Sequence, residues 1–555
     1  MESRQKTIFI NGKLFTSCDS HPYEDSMAVE RGIIRWVGEK ESMPEEYRAA
    51  VRRAKAGKAS GPEDWKVVDL KGRRVIPGFV DAHMHPVMLA EFRKKIAVMP
   101  PEIHSIKELT EAVRKRRQEQ GPGAWIEGWG YDEGELSEKR SPTRYDLDLG
   151  CSDAPVSIMR TCAHIRCVNS LALKIAGIDR NTPDPPGGEI ERDENGEPTG
   201  VLKETASTMF SAFVPQEPEE ARADHLLELG EVLLSQGVTA ICDMGNLDSS
   251  DSLPIYRESV RRGFRQKVGV YYMWDFFMDN PDFQITPEEM DRSRQIFTAG
   301  LKLIGDGSVS GRTAWMSRPY LGSRDEYGIS VCSDRQLETA IDFCKKTGCQ
   351  LSIHAMGGRA ISRMVDRVSG EKPWTGEGIP YVRLEHVTDP SADSMEKAAA
   401  SGIAFVTQPI FQYAESSSYL INLGPEWMKE CYPVRTMLDK GIQLAFSTDA
   451  PATFWANPSD PFPGLKQAVT RRSASGVDCG QDQAVDMETA IRLYTRGSAA
   501  AAGFSRIGML APGYQGDFAV LSRDILRIPP EEADQVQVEE TYIGGELAYR
   551  RSSDN

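Results

Sequence analysis

Between residues 237 and 449 two hydrophobic patterns alternate. Short apolar runs cover 237–243, 265–274, 300–306, 349–354, 381–386, 402–408 and 441–449. The segments before and between them, among them 223–235, 335–346, 391–401 and 433–440, carry apolar residues at helical spacing. Apolar strands separated by helices point to a parallel sheet covered on both faces. An earlier run, 75–82, ends in His83-Met84-His85 and makes eight strands in all. Eight repeated βα units predict an α/β fold, a (β/α)8 TIM-like barrel.

The flanks read differently. Residues 7–80 hold short strands at 7–10, 27–29, 33–37, 67–70 and 75–76, with a charged, helix-prone stretch at 39–61. Asn11-Gly12, directly after the first of these strands, is a strong hairpin signal. Arg31-Gly32 and Lys71-Gly72 mark further turns. From Ile507 the chain is β-like again, with a turn at 513–516 and a hairpin around Gly544-Gly545. Neither end has enough strands alone, so the two ends are expected to form one small β-sandwich, 1–78 with 507–555. The barrel then spans 79–506, closing with a helix over 487–502. About 140 residues between the first two barrel strands are too many for a connection. The stretch from about 87 to 225 is therefore expected to be an inserted subdomain over the active-site mouth, with a helix over 106–118 and strands at 124–129 and 156–160.

Composition narrows the picture. Lys plus Arg is 66 and Asp plus Glu 82, a formal charge of −16. That balance argues against nucleic acid and anionic membrane as partners and leaves a small-molecule substrate. The ten cysteines form no C-x-x-C pair, and a chain of 555 residues needs no disulfide staples. Cys162 and Cys167 flank His164 at a spacing that matches no standard zinc pattern, which favours structural thiols. The first ten residues hold no long apolar core or cleavage site, and nothing later approaches a spanning helix, so a cytoplasmic protein is expected.

Barrel chemistry sits at the C-terminal ends of the strands. His83 and His85 lie two residues apart on a strand and so share a face. The other strand ends supply Lys302, His354, His386 and Asp449. Four of only eight histidines fall at these ends. Singly, each is as well explained by a structural hydrogen bond; together they make a divalent-metal centre. Neutral imidazole and carboxylate suit Zn²⁺, and metal-held water ionises near pH 7 to a nucleophilic hydroxide. Asp449 can take the proton of that water and pass it to a leaving nitrogen. A free ammonium at Lys302 would repel a metal. Its neutral amine, however, adds CO₂ to give a carbamate able to bridge two ions; the plainer reading is an ion pair with Asp306.

These residues resemble the amidohydrolase superfamily. The finer motifs are similar to its amidohydrolase-3, or YtcJ-like, branch, which includes N-substituted formamide deformylases. They are Gly78 through His85, Ala163-His164, Gly200 through Glu204, Lys302 through Ser308, His354 through Ala360, Glu385-His386, Thr407-Gln408-Pro409, Ser447 through Pro451 and the tail from Gly508 to Gly545. The resemblance implies a metal centre of His83, His85, carboxylated Lys302, His354, His386 and Asp449, with one or two ions. It implies hydrolysis of an amide- or formamide-type C–N bond by metal-held hydroxide. His164 would reach the substrate carbonyl. Cyclic-amide hydrolysis or deamination is the alternative within enzymes, and a non-catalytic, assembly-forming barrel the alternative outside them. Homodimers are common in the superfamily, though nothing in the sequence marks an interface. The branch often has Asp where this chain has Gly358, and Gly where it has Ala163. Aromatic residues near the rim loops, Trp129 and Trp315 foremost, are candidates to line the substrate pocket.

Overall fold

The eight apolar runs form one parallel sheet in which every strand pairs with its neighbour in sequence. In this computed structural model they are β1 (Phe79–Met84), β2 (Val238–Asp243), β3 (Lys267–Met273), β4 (Ile296–Ile304), β5 (Gln350–Ala355), β6 (Val382–His386), β7 (Ala404–Thr407) and β8 (Leu444–Phe446). The structure describes residues 6–56, 65–121, 123–161, 165–209, 213–214, 218–246 and 250–552. Beyond the ladder, the ends of β1 and β8 are joined at the rim. The Asp449 amide donates to the His83 carbonyl at 2.7 Å, and the His85 amide to Ala450 at 2.8 Å. These bonds close the sheet into a TIM-like barrel.

The intervening helices carry the local signals that start and stop them. Asp334–Thr347 begins with a reciprocal capping box between Ser333 and Gln336 and ends at Gly348 in the left-handed region (φ 80°). Its Leu337, Ala340, Ile341 and Cys344, spaced three or four apart, are buried. Ala392–Ser401 is capped by Ser391 and stopped by Gly402 in the same way. The expected last helix is instead interrupted: Met487–Arg492 and Ser498–Ala501 are α-helical, and Leu493–Gly497 is a π turn. The Ser498 hydroxyl lies 2.7 Å from both the Leu493 and Phe446 carbonyls and shares its one proton between them, and Tyr494 donates to the carbonyl of Ser447. Side-chain anchoring to β8 widens the turn, which apolar spacing does not reveal.

Two further sheets form the small β-sandwich. One orders Ile33–Gly38, Ser26–Glu30, Lys6–Ile10 and Lys66–Asp69; the other joins Glu546–Arg550, Val538–Ile543 and Phe518–Leu521 to Arg74–Pro77, Lys13–Phe15 and Tyr23–Glu24. Both chain ends thus share one sheet. Their common core includes Phe9, Met27, Val75, Phe518 and Tyr542. The rings of Phe518 and Tyr542 stack at 4.5 Å, with Phe9 edge-on at 4.9 Å to Phe518. The Asn11-Gly12 hairpin does not form. Lys6–Ile10 and Lys13–Phe15 belong to different sheets, so the turn crosses between layers. Lys6–Ile10 pairs instead with Ser26–Glu30 and, in parallel, with Lys66–Asp69. Burial of alternate apolar residues between two layers overrides a turn that is locally fit for a hairpin. The hairpins proper are at Arg31-Gly32 and Gly544-Gly545.

The chain divides into two compact units. The first, Met1–Pro86, Leu226–Ala450 and Ser459–Asn555, holds the barrel and the sandwich. The second, Val87–His225 with Pro451–Pro458, has its own six-stranded mixed sheet and core. Its helix Ile106–Glu119, capped by Ser105, buries Ile106, Leu109 and Val113. Among the described residues no helix is long and apolar enough to cross a membrane.

One glycine is dictated by strand spacing. Gly300 on β4 lies opposite Gln350 on β5, and an added Cβ would come 1.8 Å from the Gln350 carbonyl oxygen. No side chain can move aside to relieve a clash with backbone. Overpacking of this kind costs about 1–3 kcal/mol or more. Gly300→Ala should therefore lower the melting temperature clearly or abolish soluble expression. An unchanged melting temperature would contradict this account of β4–β5 packing.

Candidate metal centre

Alternation along β1 puts Asp81, His83 and His85 on the barrel interior, since His83 reaches across to Glu385 on β6. Lys302 on β4 follows the same rule, with its amine 3.5 Å from His83 Nε2. His386 does not. It directly follows Glu385, so regular alternation would turn it away. His386 and Val387 instead take positive φ, 75° and 48°, and this kink brings the imidazole back to 4.9 Å from that of His83. Asp449 is likewise left-handed at φ 58°. Non-glycine residues in this region cost of order 1–3 kcal/mol each and persist only where surrounding bonds over-determine them. The rim bond from the Asp449 amide to His83 is one such constraint.

Each of four imidazoles has one ring nitrogen tied to an acceptor. His83 Nδ1 is 2.6 Å from Glu385, and His85 Nδ1 is 2.8 Å from the Gly245 carbonyl. His354 Nε2 is 2.9 Å from the Gly307 carbonyl, and His386 Nδ1 is 2.9 Å from Gln408 Oε1. A carbonyl or carboxylate accepts only from N–H, so these bonds fix four tautomers. The lone pairs left over are Nε2 of His83, His85 and His386 and Nδ1 of His354. Asp449 Oδ1 lies 3.2 Å from His83 Nε2 and 3.4 Å from His85 Nε2. It is buried without a hydrogen-bond partner. Donor atoms of His83, His386 and Asp449 lie within 4.8 Å of one another. Unprotonated imidazole nitrogens around an orphaned carboxylate oxygen are the donor set of a borderline divalent ion.

The electrostatics agree. Burial pushes Lys302 down to about 8, so its neutral amine is accessible near physiological pH. Burial and the Lys302 charge depress His354 to about 4, and burial with His354 holds His386 well below its usual value. Glu385 is also held low, by Arg383 and His83 against the effect of burial. Asp306 is not an ion-pair partner of Lys302. It accepts the backbone amides of Trp315, Met356 and Gly357 at 2.8–2.9 Å and lies 3.5 Å from His354 Nε2.

The barrel therefore brings six predicted residues together: His83, His85, Lys302, His354, His386 and Asp449. His164 and Cys162 lie outside the described residues. Cys167 is fully buried, and burial raises its thiol far above the usual value, in keeping with a structural role. Trp129 belongs to the second unit, where it is 8% exposed and packs on Phe92 at 4.7 Å. Trp315 is half-buried and lines a cavity of about 660 Å³ with Arg359 and Asp389. Sequence reasoning gave no role to Glu385 or Gln408, and gave Asp306 only that of an ion-pair partner for Lys302. A signal existed for the first two: each adjoins or follows a barrel strand end within a motif of its own.

Between pH 4 and 6.5 the folded protein keeps His354 neutral while the unfolded chain takes up a proton. The unfolded state then binds more protons, so this contribution to stability is complete above about 6.5 and is lost as the pH falls toward about 4. His354→Gln retains a donor toward Gly307 and does not titrate. Metal-stripped His354→Gln should lose less thermal stability between pH 6.5 and 4 than metal-stripped wild type. Parallel losses would contradict a buried neutral His354.

The profile of the Amidohydrolase family matches residues 66–549. The YtcJ protein of Bacillus subtilis, a putative amidohydrolase by name, is 29% identical over 99% of this chain and 100% of its own. The N-substituted formamide deformylase of Arthrobacter pascens is 28% identical over 88% of this chain and 91% of its own. The crystal structure of an uncharacterized metal-dependent hydrolase from Pyrococcus horikoshii superposes with a TM-score of 0.71 at 26% identity, covering 95% of this chain and 99% of that one. The sequence motifs, the strand-end histidines and these matches agree: the chain belongs to the amidohydrolase family, in its amidohydrolase-3 branch, and is a metal-dependent hydrolase acting on carbon–nitrogen bonds.

Proposed function

We propose that the enzyme hydrolyses an amide- or formamide-type C–N bond in a small molecule. The centre would be held by His83, His85, Lys302, His354, His386 and Asp449. The observation that carries this reading is the set of four fixed tautomers around the unpartnered Asp449 Oδ1. A relative named for the deformylation of N-substituted formamides, 28% identical over most of both chains, supports the substrate class. A divalent ion, which we take to be Zn²⁺, supplies Lewis acidity and a water that ionises near neutral pH. The protein's own residues do the rest. Asp449 accepts the proton of the attacking water and returns it to the departing nitrogen. The rim bond to His83 and the left-handed turn fix where that carboxylate stands. The Lys302 amine, partly neutral near physiological pH, adds CO₂ and releases one proton, leaving an N-carboxylate that balances the cationic charge.

On the substrate side we assign His164 to the carbonyl oxygen, as a donor in the transition state. Trp129 and Trp315 are assigned to an apolar or aromatic substituent. Trp315 is tied to the centre through Asp306, which accepts its amide at 2.8 Å and faces His354 at 3.5 Å. The complete set of strand-end donors counts against a non-catalytic barrel. The formal charge of −16 supports a small-molecule substrate over nucleic acid.

A screen of N-formyl and N-acyl compounds with metal-replete enzyme should find hydrolysis, and two variants test the roles. Asp449→Asn should lose about 100- to 10,000-fold in turnover, the usual contribution of general acid–base catalysis, while keeping its metal. Loss of metal in proportion would make Asp449 mainly a ligand. Lys302→Ala should be inactive and regain part of its activity with small carboxylates such as acetate. Full activity without rescue would remove the bridging role.

A further inference from the structure

The interior of this barrel, just below the centre, is polar where such barrels are usually filled by branched apolar side chains. Arg383 on β6 is fully buried, as are Glu385, Ser352 and Gln350. Arg383 and Glu385 sit two residues apart and so share the inner face. The Arg383 guanidinium forks onto Glu385, with Nε to Oε1 and Nη2 to Oε2. Ser352 on β5 donates to Oε1 at 2.7 Å, and His83 Nδ1 lies 2.6 Å from Oε2. Four donors thus fill the roughly four lone-pair sites of one carboxylate. The same Nη2 also donates to the carbonyl of Ala82, the residue before His83.

One guanidinium therefore holds both the imidazole of His83, through Glu385, and the backbone that carries it. Arg383 is itself braced. Its Nη1 is 3.3 Å from the Tyr271 hydroxyl, which bonds to Gln350, and the Gln350 amide is anchored on the Pro380 and Ala501 carbonyls at 2.7 and 2.9 Å. The chain of contacts runs from Gln350, the first residue of β5, to the His83 ring without a gap.

A buried ion pair is a poor device for stability, since well-packed apolar residues of similar volume serve as well or better. The geometry points to another use: Arg383 and Glu385 are a positioning pair that fixes the tautomer and placement of His83, and they thereby set how tightly the centre holds its ion. Groups one step behind a ligating histidine change metal affinity by about 10- to 100-fold when altered. The inference rests on the reading of His83 as a ligand, and the test separates the two.

The experiment is chelator competition for Zn²⁺ on full-length, metal-stripped enzyme, with the melting temperature of each metal-free protein measured alongside. Glu385→Gln and Arg383→Lys should bind Zn²⁺ about 10- to 100-fold more weakly than wild type. The double variant R383M/E385L, which replaces the pair by apolar side chains, should keep its melting temperature yet bind Zn²⁺ equally weakly. Arg471→Lys serves as comparator: Arg471 is also fully buried, but it donates to the carbonyls of Cys431, Tyr432, Cys479 and Gly480, away from the centre. It should lower the melting temperature and leave affinity unchanged. Wild-type affinity in both Glu385→Gln and Arg383→Lys, with weak binding by His83→Asn, would overturn the positioning role alone. So would affinities that fall only in step with melting temperature. Wild-type affinity in His83→Asn would overturn the ligand reading and this inference with it.

Discussion

The structure depends on a hydrogen-bond constraint at four imidazoles. Each ring has one nitrogen facing a carbonyl, an amide oxygen or a carboxylate, and such partners accept only an N–H. The opposite nitrogen of each ring is then a lone pair. The folded chain thus sets four protonation patterns before any ion arrives, and it does so with groups that belong to the barrel walls. Gly245 follows β2, Gly307 follows β4, Glu385 is on β6 and Gln408 follows β7. The centre is a property of the whole rim rather than of its donor residues.

That arrangement has costs that show elsewhere in the fold. His386 and Asp449 occupy left-handed backbone, and the barrel interior gives up apolar layers for charged and amide side chains. An isolated buried charge would cost several kcal/mol, so these groups are saturated with partners: Asp306 by three amides, Glu385 by four donors. The exception is Asp449 Oδ1, where the hydrogen-bonding network stops. A buried carboxylate oxygen left without a hydrogen-bond partner among imidazole lone pairs is marked for an external partner.

Much of this was legible in the sequence because it obeys period-two and period-3.6 rules. Alternation alone put His83 and His85 on one face, and the βα rhythm gave the eight strands and their order. The strand-end histidines then emerged from where a barrel works. What was not legible breaks those rules. His386 sits at odd parity with Glu385, and only a positive φ, invisible in composition, turns it inward. Asn11-Gly12 is chemically a hairpin turn but serves as a crossing between layers, because the partners of Lys6–Ile10 come from residues far along the chain. Glu385, Gln408 and Asp306 looked like motif neighbours; their tasks are defined by contacts across the barrel, which a linear reading does not contain. The two sandwich sheets were inferable from a shortage of strands at each end, while the π turn at Leu493–Gly497 depends on bonds to β8.

The most direct test of the central claim is diffraction from crystals of metal-loaded enzyme, with anomalous scattering recorded at the absorption edge of the ion. The account predicts an ion in contact with Nε2 of His83 and with Asp449, with Nδ1 of His83 still bonded to Glu385. An ion bound elsewhere, or one that engages His83 through Nδ1 after displacing Glu385, would contradict it.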